Sequence, residues 1–250
     1  MKTLRALGLA LILSGCASPA PSLSVARTVG PVTTVFPSAP VPSPTPARAA
    51  CPNGQGGACL GPLAAGTYTT TVFHPVLTYS VPPGWANYED LPGNFLLTPP
   101  GSGLSGVDSG TGDFLGIYTS VAVEALECTA QPALGVARTA NSIIDALAAR
   151  PGIVASTTRS LTVGGLPTLE VDLRMAPGWK GSACSGDHPD VAVITGLAPS
   201  DFEHAIGGKT VMRLFLSDTD SGVQAIEIDD VGGGEHLDAF NPIVQSFRFG

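Results

Sequence analysis

Apolar and polar positions alternate with a period of two in much of the chain after residue 65, and this alternation predicts β-strands. The clearest case is residues 169–173, where apolar side chains alternate with acidic ones, as in a half-buried strand. Further extended segments, punctuated by Gly and Pro, are predicted at 68–74, 77–81, 95–98, 114–123, 161–163, 191–197, 211–216 and 223–228. We therefore expect a domain in which strands outnumber helices.

A β-hairpin and one amphipathic helix are predicted in the second half of the chain. Segments 210–216 and 223–229 flank the polar turn sequence 217–222, which is typical of a hairpin. Thr139 is suited to cap a helix that runs to Arg150 and stops at the Pro-Gly pair that follows. The apolar stripe of this helix is formed by Ala140, Ile143, Ile144 and Leu147.

Two other segments carry partial helix signals. Ser200 and Glu203 have the spacing of a capping box, and residues 235–245 would form a helix interrupted by Pro242. Because few helices lie between consecutive strands, the pattern favours a mostly antiparallel sheet with flanking helices over a parallel sheet. The predicted fold class is α+β, with one domain over residues 51–250.

The first sixteen residues have the order of a secretory signal that ends at a cysteine. Lys2 and Arg5 precede an apolar stretch at 6–13, which is too short to span a bilayer. Residues 13–16, Leu-Ser-Gly-Cys, resemble the lipobox of bacterial lipoproteins. The resemblance implies cleavage after residue 15 and a membrane anchor of acyl chains, such as palmitate, on Cys16. An ordinary signal peptide followed by a coincidental cysteine is the alternative.

Residues 17–50 have the composition of a disordered spacer. They contain eight prolines and no Asp or Glu, so they cannot bury a core, and proline stiffens them toward extended conformations. With Cys16, they form a predicted tether at 16–50 that holds the domain outside the cytoplasm, at the cell membrane or in the cell envelope. A ligand for proline-binding modules at 41–46 is the alternative.

The charge of the chain excludes some partners. Its net charge is −8 with only 12 Lys and Arg, so we expect no nucleic-acid partner, because binding phosphates needs a basic surface. Residues 51–250 alone carry eight basic and twenty acidic side chains. Adsorption to anionic lipid headgroups is therefore unfavourable, and membrane association should depend on the acyl chains at Cys16.

Four segments, 73–85, 143–152, 163–167 and 243–249, are similar to parts of a widespread extracytoplasmic domain. This domain occurs in actinobacteria and related phyla, including some mycobacterial lipoproteins, and has a PsbP-like fold. The resemblance covers most of residues 66–250 and implies a curved antiparallel sheet between helices. Its motifs are structural, so it implies no catalytic residues and leaves the function open.

Four cysteines remain besides Cys16. An even number in an exported chain favours two disulfides, although four cysteines allow three pairings. Cys51 with Cys59 would close a short Gly-rich loop, which leaves Cys128 and Cys184 as the long-range pair. A metal site with four thiolates is the alternative, but none of the spacings resembles the C-x₂-C of zinc sites.

The sequence contains no standard catalytic motif. Residues 101–106 match G-x-G-x-x-G, but two prolines precede them and a strand-like run follows, so a hairpin loop is expected and not a dinucleotide site. Asp187, His188 and Asp190 place an imidazole between two carboxylates. With the nearby Trp179, they are candidate contacts to a ligand or partner.

Asp218 and Asp220 in the predicted hairpin turn are candidate calcium ligands, since hard cations bind clustered oxygens. The turn lacks the glycine and the glutamate of an EF-hand loop, and hairpin turns favour Asp and Gly for conformational reasons alone. We therefore expect no cofactor unless calcium binds here. His74, His204 and His236 have no evident partners in the sequence, so surface or capping roles are expected for them.

The sequence as a whole favours a lipid-anchored envelope protein that is not an enzyme. Its α+β domain would bind a protein partner or a small ligand. Two alternatives stay open. One is an extracytoplasmic hydrolase with a nonstandard site, for which residues 187–190 are the local indication, and the other is a calcium-dependent interaction module. The sequence decides neither the identity of the ligand or partner nor which membrane carries the anchor.

Overall fold

The computed structural model describes residues 60–182, 184 and 188–250. The predicted signal peptide, lipidation site and tether lie outside these residues, as do Cys51 and Cys59. The strands of the described residues are β1 (Gly61–Pro62), β2 (Gly66–Thr69), β3 (Leu77–Val81), β4 (Ala86–Leu91), β5 (Asn94–Thr98), β6 (Phe114–Tyr118), β7 (Val121–Val123), β8 (Ile153–Ala155), β9 (Arg159–Val163), β10 (Leu166–Met175), β11 (Asp190–Gly196), β12 (Glu203–Gly207), β13 (Val211–Thr219), β14 (Gly222–Asp230) and β15 (Arg248–Phe249). The helices are α1 (Leu104–Asp108), α2 (Ala140–Ala148), α3 (Asn241–Ser246) and a 3-10 helix (Leu237–Phe240).

The strands form one large sheet and two small ones. The central sheet has the order β1-β4-β5-β6-β14-β13-β10-β8, and β9 pairs with the first half of β10. A second sheet has the order β12-β11-β7, and a third has the order β15-β3-β2. Neighbouring strands in all three sheets are antiparallel. The prediction of a strand-rich α+β domain with antiparallel sheets and few helices is confirmed for the described residues.

The β13–β14 hairpin lies in the middle of the central sheet. Its strands pair from Val211 opposite Asp230 to Thr219 opposite Gly222, which leaves a turn of two residues. The predicted hairpin is confirmed, but its turn is shorter than the polar segment 217–222, because the pairing continues beyond the apolar residues. Gly222 has a φ of 118°, a conformation that residues with a side chain rarely adopt.

Both faces of the central sheet are covered by apolar side chains. Successive side chains of a strand point to opposite faces, so β14 contributes Ile226 and Ile228 to one core and Val223 and Ala225 to the other. The first core includes residues of the third sheet and α3, and the second includes residues of the second sheet and α2. The third sheet and α3 therefore cover one face of the central sheet, and the second sheet and α2 cover the other.

Helix α2 is the helix predicted from the apolar periodicity. The Thr139 hydroxyl accepts a hydrogen bond from the Ser142 N–H at 3.2 Å, and the four residues of the predicted apolar stripe are buried. The helix ends before Arg150, whose guanidinium instead donates to the backbone carbonyls of Glu124 and Ala192. Arg150 thereby joins the end of α2 to the second sheet.

The structure differs from the predicted elements at two places. Segment 114–123 is not one strand: the chain bends at Ser120, which has a φ of 54°, and passes from the central sheet to the second sheet. Ser200 and Glu203 start no helix, so that expectation was wrong. The Ser200 hydroxyl donates to the Gly93 carbonyl at 2.8 Å, and Glu203 is the first residue of β12.

The remaining helical segments are short. The connection between β5 and β6 is a hairpin connection, as predicted, but it contains the five-residue helix α1 directly after Gly103. Residues 235–245 contain the 3-10 helix and α3, and Pro242 lies in the first turn of α3, where its missing N–H removes no helical hydrogen bond. None of the helices in the described residues combines the length and the apolar character needed to cross a membrane.

Asp90 provides a test of the packing between the third sheet and the central sheet. Its buried carboxylate accepts hydrogen bonds from the backbone N–H groups of Thr71, Val72 and Phe73 at 2.8, 3.2 and 2.7 Å. Asp90→Asn replaces one charged acceptor oxygen by an amide donor, so we expect the free energy of unfolding to fall by about 2–3 kcal/mol in urea denaturation. The control is Asp145→Asn on the exposed face of α2, and equal stability of the two variants would contradict this role.

Candidate functional site

Trp179, a candidate contact residue, packs against the second core. Its ring is half-buried and lies so close to Gly152 that a Cβ atom there would collide with it. The indole N–H donates to the Asp190 carbonyl at 3.1 Å. These contacts give Trp179 a packing role at the edge of the second sheet.

The other candidate contact residues fall, in the sequence, just before β11 or at its first residue, Asp190. Asp187 is outside the described residues, and His188 is exposed. The Asp190 carboxylate accepts hydrogen bonds from the Cys184 N–H at 3.1 Å and from the Ser182 hydroxyl at 3.3 Å. Asp190 therefore holds the backbone of the loop that precedes β11.

The disulfide between Cys128 and Cys184 joins that loop to the one after β7, and it agrees with the long-range pair predicted from the sequence. The two Cα atoms are 4.7 Å apart. Next to the disulfide, the buried Glu124 carboxylate accepts hydrogen bonds from the N–H groups of Thr129 and Ala130, both at 3.1 Å. The loop that carries Cys128 is thus fixed by a covalent bond and by a buried carboxylate.

Asp218, a candidate calcium ligand, contacts the N-terminus of α2. Its Oδ1 accepts a hydrogen bond from the Ala140 N–H at 2.8 Å, which satisfies one of the free donors in the first turn. Asp220 is exposed in the two-residue hairpin turn. The structure thus gives Asp218 a capping role between the hairpin and the helix.

The main cluster of ionisable side chains is one that the sequence did not reveal. It consists of Glu89, Tyr118, His204, Glu227 and Asp229, and we name it the Glu227 cluster. Its members come from β4, β6, β12 and β14, so the central sheet and the edge strand of the second sheet both contribute. The pKa values of Glu89, Tyr118, His204 and Asp229 are raised above their ordinary values.

The strand register explains how distant residues meet in this cluster. Glu89 is opposite Leu96, Leu96 is opposite Gly116, and Gly116 is opposite Glu227. Residues opposite one another in adjacent strands share a face, so Glu89 and Glu227 are on the same face of the sheet. A Cβ atom at Gly116 would collide with the Tyr118 hydroxyl, which therefore lies above this glycine, beside Glu227.

Glu227 and His204 form the shortest polar contact of the cluster. Glu227 Oε2 is 2.6 Å from His204 Nδ1, and the side chains are 0% and 24% exposed, respectively. Burial lowers the pKa of His204, but the charge of Glu227, its hydrogen bond and the charge of Glu89 raise it more, so the pKa lies above its ordinary value. His204 is therefore the basic partner of a buried carboxylate, and the surface or capping role expected for it was wrong.

Asp229 is two residues after Glu227 on the same face of β14. Burial, the charge of Glu227 and a hydrogen bond between the two carboxyl groups raise the pKa of Asp229 well above its ordinary value. Two carboxyl groups held this close disfavour the state in which both are ionised. Burial also raises the pKa of Glu89, with a further contribution from Asp108, while His204 lowers it.

Aromatic rings surround His204. The ring centroid of Phe202 is 4.6 Å from that of His204 and 4.2 Å from that of Tyr118, and the Tyr118 and His204 centroids are 5.2 Å apart. The ring centroid of Phe114 is 5.8 Å from that of His204. Phe202, His204 and Glu89 are partly exposed, so this end of the cluster reaches the surface.

A second histidine group lies at the end of β14. His236 Nδ1 is 3.0 Å from Asp113 Oδ2 and 3.7 Å from Asp230 Oδ1. Both carboxylates also hold the Gly-rich loop after β14: Asp113 accepts the Val231 N–H, and Asp230 accepts those of Gly232 and His236. These hydrogen bonds show that the group closes the loop. His236 is exposed, in line with the surface or capping role that was expected for it.

Arg213 is the centre of a third polar group, on the opposite face of the sheet from Glu227. Its guanidinium binds both oxygens of Asp172, at 2.7 and 3.0 Å, and also contacts Glu170 and Asp238 at 3.2 and 3.1 Å. A cleft of about 280 Å³ beside it is lined by Asp172, Arg174 and the glycines of the loop after β14. Because Arg213 contacts carboxylates of β10 and of the 3-10 helix, it fastens β13 to both of these elements.

Comparisons with known proteins give remote structural likenesses, among them two solved structures. No protein-family model matches the chain, and no curated protein matches it. A crystal structure of a protein from Bacteroides thetaiotaomicron VPI-5482 is 9% identical, with a TM-score of 0.32 over 70% of this chain, which spans 45% of the length of that protein. The solution structure of cyanobacterial PsbP (CyanoP) from Synechocystis sp. PCC 6803 is also 9% identical, with a TM-score of 0.37 over 78% of this chain and 98% of that one. Neither likeness assigns the chain to a family.

Asp229→Asn tests whether the raised pKa of Asp229 makes the stability of the protein depend on pH. Above the ordinary pKa of an aspartate the unfolded chain releases the Asp229 proton while the folded protein keeps it, so the stability of the parent falls as the pH rises toward the raised pKa of Asp229. The amide that the substitution introduces does not ionise, and it donates to Glu227 at every pH. We therefore expect Asp229→Asn to raise the Tm by about 2–4 °C at about pH 8, with the difference shrinking toward about pH 4.

The measurement for Asp229→Asn is thermal unfolding at several pH values. The raised pKa of His204 adds stability below its ordinary pKa that is lost as the pH rises, and this contribution is common to parent and variant. Asp145→Asn is the control, and it should leave the pH dependence unchanged because Asp145 is exposed on α2. If Asp229→Asn is less stable than the parent at every pH, the two carboxyl groups do not share a proton.

Proposed function

We propose that this chain is a lipid-anchored protein of the cell envelope whose α+β domain binds a small ligand and which is not an enzyme. The proposal has two independent parts. One is the anchor, which depends on the N-terminal sequence, and the other is the binding site, which depends on the Glu227 cluster.

The anchor is supported by the order of features at the N-terminus. Lys2 and Arg5, the apolar stretch 6–13 and the Leu-Ser-Gly-Cys sequence at 13–16 follow one another as in bacterial lipoproteins. The proline-rich residues 17–50 then supply a spacer between Cys16 and the domain. The similarity of segments 73–85 and 243–249 to extracytoplasmic domains supports the same location, and we propose a PsbP-like fold for the domain on the same basis.

The single observation that carries the binding site is the burial of Glu227 with too few donors. Its carboxylate is fully buried, one oxygen contacts His204, and the other has no hydrogen-bond partner among the described residues. Buried charged groups cost stability unless they are paired, and such groups concentrate at functional sites. The aromatic rings that lead from this carboxylate to the surface provide contact area for a ligand.

Cys16→Ala tests the anchor. In a bacterium that processes lipoproteins, the parent should stay in the membrane fraction at low and at high salt, because acyl chains hold it and its net charge of −8 does not. We expect Cys16→Ala to appear in the soluble fraction at both salt concentrations, as measured by fractionation and immunoblotting. The control is Ser18→Ala, which keeps the cysteine and should remain with the membrane. Retention of Cys16→Ala in the membrane fraction would rule out the acyl anchor.

A further inference from the structure

The Glu227 cluster contains more hydrogen-bond acceptors than donors. The Tyr118 hydroxyl, Glu227 Oε1 and Asp229 Oδ1 are shielded from solvent and have no hydrogen-bond partner in the described part of the chain. Tyr118 is only 2% exposed and Glu227 is 0% exposed. A buried polar group without a partner costs about 1–3 kcal/mol. The cluster is therefore suited to a ligand that brings its own donors.

The charges around the cluster favour a cation. The charge of Asp108 raises the pKa of Glu89, and the charge of Asp113 raises the pKa of Asp229. Carboxyl groups of neighbouring elements therefore add to the negative charge of the cluster. His204 is the base of the cluster: it contacts Glu227, and its charge lowers the pKa of Glu89. An excess of carboxyl groups in a partly buried site attracts a positive ligand more strongly than it would in water.

The rings at the surface end of the cluster fit the same ligand. Phe202 and Tyr118 are in contact with each other and with His204, and Phe114 also contacts the imidazole. Aromatic faces attract ammonium groups and also bury the alkyl chain of an amine. Because Phe202 is partly exposed, an alkyl chain would leave the site along this ring.

The arrangement suits an organic ammonium better than a metal ion. In residues 60–182, 184 and 188–250, one group of three ligating atoms is close enough together to chelate an ion, and it contains neither Glu227 nor Asp229. A primary ammonium needs no chelating geometry, because its three N–H bonds can reach three separate acceptors.

We propose that the Glu227 cluster binds a primary ammonium group, which donates hydrogen bonds to Glu227, Asp229 and the Tyr118 hydroxyl. This inference rests on the proposed function, since it gives the ligand class of the same site. The ligand is an amine with an apolar chain that lies against Phe202.

The test is a calorimetric titration of the purified full chain with n-butylammonium at neutral pH. We expect saturable binding to one site, weakened about tenfold or more by Glu227→Gln, which removes the charge. Because this substitution also weakens the contact with His204, Tyr118→Phe is a second variant that keeps the ring and removes one acceptor, and it should weaken binding about three- to tenfold. Asp145→Asn, which removes an exposed carboxylate elsewhere, should bind as the parent does.

Tetramethylammonium and potassium separate charge from hydrogen bonding. Both carry one positive charge but no N–H donor, so we expect each to bind about tenfold more weakly than n-butylammonium, or worse. Equal binding of either cation, unchanged binding by the folded Tyr118→Phe and Glu227→Gln variants, or no binding of n-butylammonium would overturn the inference. Such a result would leave the membrane anchor intact, since fractionation of Cys16→Ala tests that part separately.

Discussion

The central sheet has an apolar core on each of its faces, and this constraint governs the polar side chains of the domain. β13 and β14 pair over nine residues, and their alternate side chains enter opposite cores. A polar side chain in the middle of either strand is shut off from bulk water, so it must find its partners inside the protein. Arg213 and Glu227 are both buried in this way, and both are bonded to side chains of other elements.

The two buried charges differ in how well they are compensated. Arg213 is a guanidinium among carboxylates, with both oxygens of Asp172 bound to it, and a bidentate pair of this kind is among the strongest in proteins. Glu227 is a carboxylate with another carboxyl group beside it and one histidine as its base. The first arrangement is complete and serves the packing of the sheet. The second is short of donors, which is why we propose it as the ligand site.

The acidic residues that the sequence marked as candidates, in contrast, turned out to hold the backbone. Asp190 and Asp218 attracted interest in the sequence because they lie in groups of carboxylates, yet both accept hydrogen bonds from backbone N–H groups. Asp side chains are common in such positions because a short carboxylate reaches nearby N–H groups at turns and helix ends. A group of acidic residues close together in the sequence is therefore a weaker indication of a site than one acid buried in a sheet.

The sequence by itself determined the strand-rich α+β class, the β13–β14 hairpin and helix α2, because alternation, turn residues and capping are local properties. It also indicated the pairing of Cys128 with Cys184. Only the tertiary structure decided which polar residues meet. Glu89 and His204 reach Glu227 through strand register and through the stacking of the second sheet on the central one, and neither relation leaves a local pattern in the sequence. The alternation of Glu227 and Asp229 with isoleucines was the one visible signal, and it marked a strand face without revealing what covers that face.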